Sequence, residues 1–157
     1  MTFILRAQLD ADAKIALALY QKYVENNKRL FPESVLSLLE NPDWQNGGSF
    51  SRYPHDGELK KLSVLSVNDE ENIELVIAKP QADVEILIRY NNVIDFDFPS
   101  FGMKSLNSWA YDQFKFYNPY DKYDIKETKM FRHEIEWLGC VIWSITTADI
   151  QVIWKDI

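Results

Sequence analysis

Around residues 53–61, Tyr-Pro-His-Asp-Gly-Glu-Leu-Lys-Lys, the spacing of apolar residues changes from helical to alternating and stays alternating almost to the end of the chain. A period near four buries one stripe of a helix, and a period of two buries one face of a strand. A single switch therefore predicts helices first and a sheet after them. Before the switch, Ile15, Leu19 and Tyr23 recur every four residues, flanked by Ala16, Tyr20 and Val24. This predicts a helix over residues 10–29, capped by Asp10 or Asp12. Phe31-Pro32 breaks that helix, and Pro32 suits the first position of a second one carrying Val35, Leu36, Leu38 and Leu39, which Asn41-Pro42 stops. Residues 43–57, with Gly47-Gly48 and Pro54, read as a connecting loop.

Past the loop, strands are expected at 59–67 and 73–79, joined by the polar loop 68–72, and then at 84–90. Asn91-Asn92 suits a tight type I′ turn, because asparagine tolerates positive φ. The strand after it would carry Ile94, Phe96 and Phe98 on one face and Asp95 and Asp97 on the other. A further strand is assigned to 109–117, followed by the turn Asn118-Pro-Tyr-Asp. A closing hairpin, 130–137 and 140–146, turns at Leu138-Gly139, and a last strand bears Ile150, Val152 and Trp154. Short turns favour antiparallel neighbours, since parallel pairs need long crossovers. The expected fold is α+β: two N-terminal helices packed on a single antiparallel meander of about six strands. It forms one domain over residues 1–157, with a helical pair at 1–42, a connection at 43–57 and the sheet at 58–157.

The 157-residue length suits a single core. The one cysteine, Cys140, cannot form an internal disulfide, and no stretch approaches the length of a membrane helix, so a cytoplasmic location is expected. Net charge is −7. Residues 1–52 contain six basic side chains (Arg6, Lys14, Lys22, Lys28, Arg29, Arg52) and six acidic ones (Asp10, Asp12, Glu25, Glu33, Glu40, Asp43). Removing these from totals of 17 and 24 leaves 11 against 18, so the whole imbalance falls after residue 52. An acidic sheet repels phosphate backbones and attracts basic proteins; it equally serves solubility. Nucleic acid and membrane are not expected partners.

Catalytic constellations are sparse. His55 and His133 are the only histidines, too few to supply a metal with three converging ligands, so neither metal nor cofactor is expected. His55-Asp56 is read as a structural motif, with Asp56 as a turn residue and His55 held by a hydrogen bond at the strand entrance. Cys140 and His133 would lie roughly 13 Å apart across the closing hairpin, too far for a nucleophile–base pair, which leaves Cys140 as core. Asp95/Asp97 and Glu134/Glu136 each share a strand face, a spacing suited to glycoside hydrolysis and equally to a solvated face. Between 109 and 127, Trp109, Tyr111, Asp112, Tyr117, Tyr120, Asp121, Tyr123, Asp124 and Glu127 mix rings with carboxylates. Two readings stand: rings filling the core with acids facing water, or a partner surface built from Asp95, Asp97, Trp109, Asp112, Tyr120, Asp121, Tyr123 and Asp124.

Several segments carry a resemblance: His55-Asp-Gly-Glu-Leu, the strand Val84-Glu-Ile-Leu-Ile-Arg-Tyr with its Asn-Asn turn, Trp109-Ala-Tyr-Asp, and His133-Glu-Ile-Glu-Trp-Leu-Gly-Cys-Val-Ile-Trp. In this order, over about residues 53–157, the chain resembles small bacterial proteins that include immunity proteins of polymorphic toxin systems. The resemblance implies a non-enzymatic protein that neutralises a cognate basic toxin by stoichiometric binding. The alternatives are a small hydrolase using His55, Asp56 and a further carboxylate, or a non-catalytic scaffold or oligomerisation module.

Overall fold

The structure is a computed structural model that describes residues 6–45, 51–99, 108–117, 129–138 and 141–157. Its helices are α1 (Arg6–Asn26), α2 (Glu33–Glu40) and the single turn α3 (Pro42–Gln45). Its strands are β1 (Glu58–Val67), β2 (Glu70–Lys79), β3 (Val84–Asn91), β4 (Asp95–Asp97), β5 (Trp109–Tyr117), β6 (Met130–Trp137), β7 (Val141–Thr147) and β8 (Asp149–Asp156). The expected α+β class and antiparallel pairing are present, but the single sheet of about six strands is not. The strands form two four-stranded sheets, ordered β1-β2-β3-β8 and β4-β7-β6-β5.

The division into two sheets originates at Asn91-Asn92. This dipeptide does not close a hairpin: Asn91 ends β3, only Asn92 takes a positive φ (57°), and β4 pairs with β7. The chain crosses to the second sheet here and returns beside the same point, where β7 passes into β8 through Ala148. Two side-chain bonds and one backbone bond tie the two crossings together. Thr147 Oγ1 donates to the Asn91 carbonyl, Asn91 Nδ2 donates to Asp149 Oδ2 at 2.9 Å, and the Ile94 N–H donates to the Thr146 carbonyl at 3.0 Å. The tight turn lies instead at Asn68-Asp69, both left-handed (φ 52° and 63°), and it shortens the expected loop 68–72 to two residues. Trp137 pairs with Val141, so the closing hairpin connects through residues 138–140, whereas a Leu138-Gly139 turn would have set Trp137 opposite Cys140. Cys140 itself lies outside the described residues.

One buried cluster draws on both sheets and on the helical segment. The first sheet contributes Ile73, Leu75 and Ile77 from β2 and Val84, Ile86, Ile88 and Tyr90 from β3. The second contributes Phe131, His133, Ile135 and Trp137 from β6 and Trp143 and Ile145 from β7. Asp12 interrupts α1 with an extended backbone (φ −163°, ψ 99°), and its Oδ1 accepts the Ile15 N–H at 3.1 Å, capping the segment that follows rather than the start of the helix at Arg6. The inward face of α1 differs from the expectation: Ile15 and Leu19 are exposed, and the flanking Ala16 and Tyr20 are buried. The edge of β5 accounts for this. Tyr20 Oη donates to the Phe114 carbonyl (3.1 Å) and accepts the Phe114 N–H (2.7 Å), and Tyr23 Oη accepts the Phe116 N–H (3.0 Å). A buried backbone group without a partner costs about 1–3 kcal/mol, so pairing the two hydroxyls with this edge sets the rotation of α1. Pro42 does not end the helical region. It starts α3, with Asn41 Oδ1 accepting the Asp43 N–H at 2.9 Å, and delivers Trp44 to the core.

Among the described residues no helix is long and apolar enough to cross a membrane.

Candidate functional site

The segment 51–57, where the sequence changes period, is the seam between the sheets. Lys79 at the end of β2 is fully buried, and its ammonium donates to the carbonyls of Ser51 (2.8 Å) and Tyr53 (2.5 Å). Burial pushes the Lys79 amine below its ordinary range, against the opposing charge of Asp56. Trp154 Nε1 on β8 donates to the Arg52 carbonyl at 2.8 Å. Residues 54–57 form a turn closed by Gly57 N–H to Pro54 carbonyl (2.7 Å), with Asp56 at φ 60°. A Cβ at Gly57 would run into the Ile77 side chain and the Pro54 carbonyl, so only glycine fits.

This turn also borders β5. The Asp56 N–H donates to the Trp109 carbonyl and the Trp109 N–H to the Gly57 carbonyl, each at 2.9 Å. His55 Nδ1 lies 2.7 Å from the Ala110 carbonyl, which can only accept, so Nδ1 bears the proton. Asp56 occupies the left-handed turn position, and the His55 ring is held against β5 rather than at the entrance of β1, the strand that follows the pair in sequence. His55 Nε2 is 3.6 Å from Asp56 Oδ2.

The second histidine belongs to an interior chain of polar groups that the sequence reading did not foresee. His133 (0% exposed) stacks on Phe114 at 4.1 Å, with Trp44, Trp109 and Tyr90 around it. Its Nε2 is 2.6 Å from Asp112 Oδ2, its Nδ1 is 2.7 Å from Tyr90 Oη, and Tyr53 Oη donates to Asp112 Oδ1. One arrangement satisfies all four groups: Tyr90 O–H donates to Nδ1, Nε2–H to Oδ2, and Tyr53 O–H to Oδ1. The chain links β3, β6, β5 and the 51–57 seam. Burial, reinforced by the Asp112 charge, pushes the Tyr53 and Tyr90 hydroxyls well up. A histidine–carboxylate pair is a common catalytic element, but this one is closed to solvent, with Asp112 only 4% exposed. Its signal in the sequence is phase. Asp112 alternates with Phe114 and Phe116, and His133 alternates with Phe131, Ile135 and Trp137, so both are polar residues at core-facing positions.

Two of the residues assigned to a partner surface are therefore corrected. Trp109 is fully buried and Asp112 is occupied by the interior chain, so neither presents a surface. Tyr120, Asp121, Tyr123 and Asp124 lie outside the described residues. Asp95 and Asp97 are exposed, on the short edge strand β4. Asp95 Oδ2 is 4.0 Å from an Arg132 guanidinium nitrogen, a loose contact that leaves the Asp95 side chain 66% exposed. The other carboxylate pair separates in role: Glu134 is engaged by Lys115 (2.5 Å) and Gln113 (3.3 Å), and Glu136 is buried. Ile94 (51%) and Phe96 (39%) are exposed beside Asp95 and Asp97. The Phe96 ring lies 5.0 Å from Phe98, which lies 4.6 Å from the buried Trp143. An apolar ridge backed by the core and a pair of carboxylates thus occupy opposite faces of one short strand.

Among the described residues no group of three or more His, Cys, Asp or Glu side chains could hold a metal ion. No family model matches this chain, and no match is found among curated proteins or solved structures.

Proposed function

We propose that the protein is a non-catalytic binding protein of the immunity type, which neutralises a basic bacterial toxin by forming a one-to-one complex through β4. The observation that carries this reading is the make-up of that strand and the residue before it: Phe96 and Ile94 exposed on one face, Asp95 and Asp97 on the other, and aromatic contacts holding Phe96 from behind. An anchored aromatic loses little conformational freedom on binding and suits the centre of an interface. The carboxylates, in the acidic half of the chain, accelerate encounter with a cationic surface. The orientation of the two histidines supports a binding role over hydrolysis, because both rings are committed to holding strands together.

The test is stopped-flow association of the purified protein with the product of the adjacent gene, whose toxicity is first established by expression alone. The expected result is a one-to-one complex whose association rate falls with salt. Asp95→Lys with Asp97→Lys should slow association by at least about tenfold without changing thermal stability. An unchanged rate rules out β4 as the contact. A harmless neighbouring product that does not bind rules out the immunity role.

A further inference from the structure

The four edges of the two sheets are treated differently. The edge of β5 is occupied by Tyr20, Tyr23, His55 and the 54–57 turn, and that of β8 meets α2, where the Ile150 N–H donates to Ser34 Oγ at 3.3 Å. β4 is three residues long. β1 runs for ten residues, and Leu62 (38%), Val64 (47%), Leu65 (41%) and Val67 (49%) are exposed on both of its faces. Natural edges are blunted by charge, proline or a bulge. Here Lys60, Lys61 and the irregularity between Leu59 and Lys61 guard only the first half, and residues 62–67, Leu-Ser-Val-Leu-Ser-Val, have no such device. Among the described residues no strand pairs with this edge, and an uncharged, β-prone edge of this length is a template for another strand.

We propose that the strand it takes is the β1 of a second copy, giving a two-fold dimer with one continuous sheet running through both protomers. The charge pattern selects this occupant. A two-fold axis normal to the sheet pairs β1 antiparallel with itself and keeps the same face of each copy on the same side. With the axis near Leu65, the lysine end of one strand lies against the far end of its partner strand, which leads into the exposed Asp69, Glu70 and Glu71. Lys60 and Lys61 of each copy then meet the acidic turn of the other, twice per dimer. The uncharged 62–67 stretches pair between these contacts, burying Leu62, Val64, Leu65 and Val67. Lys60 is also paired with Glu58 at 2.9 Å, which leaves Lys61 in excess at that end; a foreign basic strand would gain at the acidic end and be repelled by this excess, whereas a second copy is complementary at both.

Sedimentation velocity of the full chain, without any toxin and over a concentration series, tests this independently of the β4 reading. The expected result is a concentration-dependent dimer. Leu65→Lys, which places like charges at the axis, should raise the dimer dissociation constant by at least about tenfold while leaving the circular dichroism spectrum unchanged. Lys60→Glu with Lys61→Glu should weaken the dimer, and adding Glu70→Lys with Glu71→Lys should restore it. A monomer at every concentration, or a dimer indifferent to Leu65→Lys, would overturn the proposal.

Discussion

The two sheets bury their inner faces by different means. In β1-β2-β3-β8 the central strands present Ile73, Leu75, Ile77, Val84, Ile86 and Ile88, all fully buried and all aliphatic until Tyr90. In β4-β7-β6-β5 the inward positions mix rings with polar groups: Asp112, Phe114 and Phe116 on the edge strand β5, and Phe131, His133, Ile135 and Trp137 on β6. Aliphatic packing is non-directional and tolerates small readjustments. The polar chain from Tyr90 through His133 and Asp112 to Tyr53 is directional, and each member needs the next in place. The first sheet is held by area, and the second is fastened to the first and to the seam by a few specific bonds.

Removing one member of the polar chain should separate these mechanisms most clearly. Asp112→Ala strands the His133 Nε2–H and the Tyr53 hydroxyl in the interior and is expected to cost about 3–5 kcal/mol in urea unfolding. A loss below about 1 kcal/mol would mean that the chain is not structural. In the aliphatic sheet, Leu75→Ala should cost about 2–5 kcal/mol through lost burial and a cavity. Leu75→Met should recover most of that loss, because shape is what the site requires. Asp112→Asn, close in volume, should recover less of the loss of Asp112→Ala if bond direction is what matters there.

Alkaline pH sharpens the comparison further. Burial pushes the hydroxyls of Tyr20, Tyr53 and Tyr90 upward. Below about pH 10 both folded and unfolded chains hold these protons, and their contribution to stability is fully present. Above it the unfolded tyrosines lose protons that the folded ones keep, so stability falls as pH rises toward the raised values, by up to about 1.4 kcal/mol per pH unit for each group. Lys79, pushed down by burial, acts in the opposite direction: the folded lysine releases its proton while the unfolded one still holds it, so this group adds stability as pH rises toward the ordinary lysine value and offsets part of the loss. Unfolding curves between pH 9 and 12, followed by tyrosinate absorbance, should show this decline. It should lessen in Tyr90→Phe, which deletes a titrating group with only a small change in shape.

The sequence was most legible where one rule acted alone. Alternation placed β2, β3 and β8 closely, because each has one buried and one wet face. The turn at Asp56 was also legible, since tolerance of a left-handed backbone is a local fact, whereas the partner of His55, 55 residues away on β5, was not. The rotation of α1 was not legible, because Ile15 and Leu19 look like a core stripe until the edge of β5 is known to need two hydroxyls. Asp112 was read with its acidic neighbours as surface, although its phase with Phe114 and Phe116 pointed inward. Half of the expected partner surface falls among residues 120–124, outside the described structure.

The order of apolar and polar residues by itself determined the helix-then-strand layout, the antiparallel pairing and the change of period around residues 53–61, because period and turn chemistry depend on neighbours a few residues apart. Tertiary structure alone decided that the strands divide into two sheets at Asn91-Asn92, that Asp112 and His133 face each other in the interior, and which of the described strands lie at the sheet edges. Those outcomes depend on groups distant in the chain, such as Tyr90 with His133 or Tyr20 with Phe114, whose hydrogen-bonding needs are met only once the sheets are packed.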